Sequence, residues 1–321
     1  MTKPDLLMTG PMMQMIQDQL EQRFVVHRLW LADDKEAFLR KLAPSVVAIA
    51  SGSHVPCDPA LMGRFPGVKI VSSFGVGYDH IDATWAGQNG IVVTNTPDVL
   101  NEEVADTALG LLLCTVRELP QTDRYLRAGK WLEKPYPLSG TLRDRKVGIL
   151  GLGRIGKAIA RRLDAFNVPV VYHGRSEQKD VPYRYYASLV DMAKDVNVLL
   201  IVAPGGASTN KIVNREVLEA LGPDGILINV GRGSVVDEAA LVQALKAKTI
   251  RTAGLDVFED EPRVPSELIA MDHVVLFPHV GSASVHTRNA MAQLVVDNLV
   301  SWADGKGPLT PVEETPWPPK H

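Results

Sequence analysis

Short β-branched apolar runs alternate along the chain with longer stretches whose apolar positions recur every three or four residues. That alternation is the pattern of βαβ units on a parallel sheet. A first series places strands at 6–9, 46–51, 68–74 and 91–94, most of them ending in Gly, Ser or Pro turns. A proline-free helical stretch follows at 101–119, with Asn101 as a suitable N-cap and Glu102 and Glu103 suited to the positive end of the helix. A second series then starts with strand 146–150, helix 154–166 and strand 169–173, and continues with strands at 198–202, 225–230, 252–257 and 274–277. The run VLLIVA within 192–204 suits a strand buried on both faces. A last helix is expected at 284–303, and the pattern alone leaves open which sheet it covers. Beyond Gly305 the chain is proline-rich and is expected to run extended.

Two series of strands need two cores, and 321 residues is a suitable length for two domains. The net charge of −3 gives no electrostatic case for nucleic acid or an anionic membrane surface as partner. The first residues lack a basic stretch followed by an apolar one, and no apolar run is long enough to span a bilayer. Cys57 and Cys114 lie far apart and outside any metal-ligand spacing, so no metal is expected. They fit structural roles in a reducing cytoplasm.

Gly151-Leu152-Gly153-Arg154-Ile155-Gly156 follows one expected strand directly and opens a helix. In that setting GxGxxG is a dinucleotide loop: Gly151 for the tight turn, Gly153 for close approach to a pyrophosphate, Gly156 for helix-on-strand packing. Ile155, Ile159, Leu163 and Phe166 repeat at helical spacing and give that helix one apolar face. An NAD site usually carries an acid at the end of the next strand to bond the ribose 2′-OH. Here the chain reads Val171-Tyr172-His173-Gly174-Arg175-Ser176, with no acid. Gly174 removes a carboxylate that would repel a 2′-phosphate, Arg175 offers a charge-assisted fork, and Ser176 adds a hydroxyl. The expected cofactor is therefore NADP, with NADPH preferred over NADH.

Three further segments each follow an expected strand: Asn229-Val230-Gly231-Arg232-Gly233, then Leu255 through Pro262 (LDVFEDEP), then Pro278 through Ala283 (PHVGSA). The carboxyl ends of strands are where open α/β sheets bind ligands, so Arg232, Glu261 and His279 are expected to meet there. With SFGVGYDHID at 73–82, NEEVADTALGLLL at 101–113, GLGRIGKAIARRL at 151–163, INVGRGSVVDEAAL at 228–241, GLDVFEDEP at 254–262 and PHVGSAS at 278–284, the chain resembles the D-isomer-specific 2-hydroxyacid dehydrogenases over nearly its whole length. The HGRS segment resembles the NADPH-using glyoxylate/hydroxypyruvate reductase branch.

The resemblance implies an α/β fold of two doubly wound parallel-sheet domains, a Rossmann cofactor domain inserted in a flavodoxin-like substrate domain. The substrate domain would take 1–98 and 284–321, and the cofactor domain 99–283. It also implies Arg232, Glu261 and His279 as catalytic residues. His279 would give a proton to the carbonyl oxygen of a small 2-keto acid, Glu261 would favour its imidazolium, and Arg232 would hold the substrate carboxylate and polarise the carbonyl. Backbone N–H groups at Val76 and Gly77 would bind the same carboxylate, and flanking glycine permits that approach. Cofactor contacts would come from Thr107, Arg154, Ile155, Ala203, Pro204, Val230 and Asp256, the last to the nicotinamide carboxamide. The resemblance further implies a homodimer through the cofactor domain, with an arm at 128–143 and Trp131 or Tyr136 reaching the partner's site. Leu100 and Trp131 are candidates for lining the substrate. Other acids, such as 3-phosphoglycerate or a branched 2-keto acid, are alternatives, as is a non-catalytic nucleotide sensor. His54, His80, His173 and His286 carry no such motif, and His80 is taken as structural.

Overall fold

The computed structural model describes residues 3–52 and 55–318. These form two compact units: the described parts of Met1–Leu100 with Val285–His321, and Asn101–Ser284.

The first unit holds β1 (Asp5–Met8), β2 (Val25–Arg28), β3 (Val46–Gly52), β4 (Ile70–Phe74) and β5 (Val92–Thr94), all parallel, in the order β2-β1-β3-β4-β5. Successive side chains of a strand face opposite ways, and the cores divide accordingly. Leu6, Met8, Ala48 and Ala50 pack with Ile16 and Leu20 of the Gln14–Arg23 helix and Val295 and Leu299 of the Val285–Ala303 helix. Leu7 and Ile49 pack on the other side with Leu39, Met62 and Ala86. The last helix, unassigned by its pattern, thus covers the first sheet. Sequence periodicity misses β2, and the reason is its position: it is an edge strand whose residues are exposed or half-buried, so it needs no continuous apolar run.

The C-terminal segment is docked along β5. Val312 N–H donates to Val93 O (2.9 Å), and Thr315 Oγ1 accepts from Val93 N–H (2.9 Å), so the exposed edge of the sheet is covered. Asn298 directs this path. It is fully buried; its Oδ1 accepts from Leu309 N–H and Thr310 N–H, both at 2.9 Å, and its Nδ2 donates to Leu294 O and Thr310 Oγ1.

The second unit holds β6 (Val147–Leu150), β7 (Val170–His173), β8 (Arg184–Tyr186), β9 (Val198–Ile201), β10 (Ile226–Asn229), β11 (Thr252–Leu255) and β12 (Val275–Leu276). Its order is β12-β11-β10-β9-β6-β7-β8, all parallel. Strand order reverses between β6 and β9, the arrangement of a dinucleotide-binding sheet with its crevice at that point. Every residue of β6, β9, β10 and β11 is buried, as expected of strands covered on both faces. β8, another half-exposed edge strand, escapes the sequence pattern as β2 does. The expected helix at 101–119 is two helices, Asn101–Arg117 and Leu119–Arg127, broken at Glu118 with φ 55°. Pro120 is the cause: it lacks an N–H and its ring crowds the preceding turn. Among the described residues no helix is long and apolar enough to cross a membrane.

Asn298→Ala removes the acceptor of two backbone N–H groups and the donor to Leu294 O and Thr310 Oγ1, and is expected to lower unfolding stability by about 2–3 kcal/mol. Denaturant titration checks this, and a change under about 0.5 kcal/mol, the scatter of neutral surface substitutions, would refute the anchoring role.

Candidate active site

The loops leaving the carboxyl ends of β6, β9, β10, β11 and β12 pack directly on one another. After β6, Gly151 takes φ +100°, and a Cβ there would lie 2.8 Å from the backbone N and Cα of Ala203, which follows β9. After β10, Asn229 is buried; its Oδ1 accepts from Gly231 N–H and its Nδ2 donates to Arg232 O, both at 3.0 Å. This clamp closes the Gly231–Gly233 turn that presents Arg232. A Cβ on Gly233 would collide with the backbone of Phe258, so the turn lies flat against the loop after β11. Asn229 was not among the expected residues, because a polar residue ending a strand carries no distinctive signal.

The loop after β11 in turn holds the loop after β12. Asp256 accepts from Val280 N–H through Oδ1 (2.7 Å) and from Gly281 N–H through Oδ2 (2.8 Å), while its carbonyl accepts from His279 N–H (2.9 Å). Burial pushes the Asp256 carboxyl above its ordinary range, against the lowering effect of the two N–H donors. His279 has φ +53°, a left-handed conformation rare for a residue with a side chain. From there its Nδ1 lies 2.6 Å from Glu261 Oε2, and Glu261 Oε1 accepts from Phe258 N–H at 3.0 Å. Glu261 has both oxygens engaged and is largely buried, whereas 39% of the His279 side chain remains exposed. The pair therefore presents an imidazole held by a carboxylate on one nitrogen, with an accessible ring beyond. Arg232 is half-buried and donates through Nη1 to Gly231 O (2.8 Å).

The Asn101–Arg117 helix braces the same edge. Thr107 Oγ1 donates to Gly281 O (3.3 Å), and Ser284 Oγ donates to Glu103 Oε2 (2.8 Å).

A dinucleotide fits the loop after β6. The Arg154–Ala165 helix begins there with Gly153 as N-cap and no side-chain cap, so its first N–H groups are offered to an incoming anion. A Cβ on Gly156 would collide with Gly151 O, so that glycine serves the chain's own packing. Nothing lies within 4 Å of the Cβ position of Gly153, which faces open space where a pyrophosphate can approach. Ala203 and Val230 are buried beside this loop system, Arg154 and Pro204 are exposed, and Ile155 is half-buried. Gly174 is half-buried, and Arg175 and Ser176 are exposed beyond β7.

Val76 and Gly77 belong to the first unit, in the loop after β4. Asn95 Nδ2 donates to Val76 O (2.8 Å) and Thr96 N–H to Gly75 O (2.9 Å). The Val76 and Gly77 N–H groups have no acceptor among the described residues. Of the other histidines, His80 Nε2 lies 3.1 Å from Ser51 Oγ, and His173 Nδ1 2.8 Å from Tyr186 O. His286 is exposed, and His54 lies outside the described residues. Leu100 is buried. Cys57 is buried, which pushes its thiol up to about 12, and Cys114 is raised for the same reason; neither is a ready nucleophile. No group of metal-binding side chains occurs among the described residues.

Residues 109–281 match the family model described as D-isomer specific 2-hydroxyacid dehydrogenase, NAD binding domain. The chain belongs to the D-isomer-specific 2-hydroxyacid dehydrogenases. Among relatives, a glyoxylate/hydroxypyruvate reductase A of Arabidopsis thaliana is 46% identical over 96% of this chain and 98% of its own. A hydroxyphenylpyruvate reductase of Plectranthus scutellarioides is 44% identical over the same shares. A crystal structure of an NADPH-dependent glyoxylate/hydroxypyruvate reductase from Sinorhizobium meliloti, in complex with NADP and malonate, superposes with a TM-score of 0.92 at 50% identity, covering 98% of both chains.

The Asp256 clamp makes a specific demand on such a dehydrogenase. Asp256→Asn sets an amide N–H against one of the two backbone donors, and the displaced His279 is expected to cost about 10²-fold in kcat. Steady-state assays on folded variant check it; a kcat within twofold of the parent would show that the turn holds without the carboxylate.

Proposed function

We propose that this enzyme reduces small 2-keto acids, glyoxylate and hydroxypyruvate foremost, to the 2-hydroxy acids glycolate and D-glycerate with NADPH. The observation that carries the chemistry is the His279–Glu261 pair at 2.6 Å on the same strand edge as Arg232 and the glycine loop. NADPH, when bound, supplies the hydride that reaches the carbonyl carbon. His279 gives the matching proton to the carbonyl oxygen, and Glu261 compensates its positive charge and fixes the ring. Arg232 binds the substrate carboxylate and polarises the carbonyl through its planar fork. The Val76 and Gly77 N–H groups, without an acceptor among the described residues, are the first unit's candidates for binding a substrate carboxylate.

The loop shaped by Gly151 and Gly156 holds the pyrophosphate through Gly153, Arg154 and Ile155, with Thr107, Ala203, Pro204 and Val230 beside the cofactor. Asp256 acts first as the clamp on the His279 turn; its remaining lone pairs are available to the nicotinamide carboxamide. Gly174, Arg175 and Ser176 take the 2′-phosphate. Support comes from Arg175 itself, an exposed guanidinium just past β7, with no acid among residues 171–176 where an NAD site would carry one.

The enzyme works as a homodimer in this reading, with the arm at 128–143 placed on the partner. Trp131 is 67% exposed, Leu132 94% and Leu138 102%, an apolar series that isolated chains seldom leave in water. Tyr136 donates its hydroxyl to Glu118 Oε2 (2.7 Å), so Trp131 is the aromatic with freedom to reach the partner's substrate site. A cytoplasmic setting suits the two free cysteines.

The test is a matrix of glyoxylate, hydroxypyruvate, pyruvate and hydroxyphenylpyruvate against NADPH and NADH. Glyoxylate and hydroxypyruvate with NADPH are expected to give the highest kcat/KM, and equal use of NADH would refute the 2′-phosphate assignment. Arg175→Asp should lower kcat/KM for NADPH by about 10- to 100-fold, the worth of a charge-assisted hydrogen bond.

A further inference from the structure

Arg175 and Ser176 stand on a short segment between β7 and β8 that has almost no packing of its own. Both are exposed, and a Cβ on Gly174 would meet nothing within 4 Å. Such a segment would hold a guanidinium in many positions, yet a planar fork bonds a phosphate only when it is aimed. The segment must therefore be fixed from elsewhere.

Three hydrogen bonds do this. Tyr185 Oη donates to Gly174 O (3.2 Å) at the entry of the segment. At its exit, Gln178 N–H donates to the hydroxyl of Tyr172 (2.6 Å), whose ring is fully buried and packs 5.3 Å from that of Tyr185. The third bond leaves the segment altogether: Gln178 Nε2 donates to Leu152 O (2.7 Å), the carbonyl between Gly151 and Gly153. One neutral amide thus ties the loop after β7 to the middle of the glycine loop.

We infer that Gln178 is a specificity-positioning residue, which sets the distance between the 2′-phosphate group's binding segment and the pyrophosphate loop. The inference rests on the NADPH reading given above. The two ends of one adenosine moiety must be met at once, by Arg175 and Ser176 at the 2′-phosphate and by the glycine loop at the pyrophosphate. A rigid link between those two loops favours the ligand that uses both. NADH uses only the glycine loop and gains little from the link. Gln178 carries no charge and needs no contact with the cofactor, so its effect falls on geometry alone.

Gln178→Met keeps the side chain's length and removes its donor; the backbone bond to Tyr172 stays. The ratio of kcat/KM for NADPH to that for NADH is expected to fall about tenfold, roughly the worth of one ordinary to charge-assisted hydrogen bond. The loss should appear in KM for NADPH rather than in kcat at saturation. Inhibition by 2′,5′-ADP should weaken by the same factor, with a smaller change for 5′-AMP. Gln178→Asn, one methylene too short to reach Leu152, is expected to behave alike, so either folded variant decides. A parent enzyme without NADPH preference overturns the cofactor reading and this inference with it. A parent that prefers NADPH, with variants that keep its ratio within twofold, overturns the inference alone.

Discussion

Asp256 receives two backbone N–H groups, from Val280 and Gly281, at a place where the chain must turn against its own preference. The turn puts His279 at φ +53°, a conformation that costs a residue with a side chain about 1–3 kcal/mol. Two hydrogen bonds to a buried carboxylate offset that cost, and the His279 N–H adds a third to the Asp256 carbonyl. Everything chemical at this edge depends on the result. From that backbone position the imidazole meets Glu261, which is itself fixed by Phe258 N–H. The imidazole proposed as the acid is therefore placed by the exit loops of two neighbouring strands rather than by its own packing.

The same economy extends along the sheet edge. Gly151 abuts Ala203, the Gly231–Gly233 turn lies on Phe258, and Asn229 closes that turn from beneath. Each contact is backbone against backbone or a buried amide, with little freedom to drift. The cofactor end is built differently. There the segment bearing Arg175 is exposed and is held by hydrogen bonds from Tyr185 and Gln178 instead of by close packing. The loops around His279 and Arg232 are thus fixed by glycine contacts, while the segment proposed to choose the cofactor is aimed by a few side chains.

How much of this was legible in the sequence follows from where each feature draws its stability. Central strands such as β9, apolar throughout, and β10, apolar up to Asn229, announced themselves; β2 and β8 lie at sheet edges, half-exposed, and did not. The break at Glu118 was missed because the helical pattern continued up to Pro120 while the backbone had already turned. Arg232, Glu261 and His279 were legible because each sits in a motif just after a strand, and the fold then brings their loops together. Asn229 and Gln178 were not, since a lone amide has no periodicity and its importance lies in partners 2 to 26 residues away. The Asp256 clamp was unforeseen for the same reason: sequence shows a carboxylate, and only the fold shows which N–H groups reach it. The tail, read as merely extended, is docked on β5 by Asn298, a residue placed by the last helix.

In the proposed mechanism the clamped His279 supplies the proton at an otherwise intact cofactor site. The most direct measurement compares NADPH binding, followed by nicotinamide fluorescence, with hydroxypyruvate turnover in His279→Ala. Binding within about threefold of the parent, together with a turnover loss of at least about 10³-fold, is the predicted result for a general acid. Turnover within about tenfold of the parent would remove His279 from that role and contradict the account.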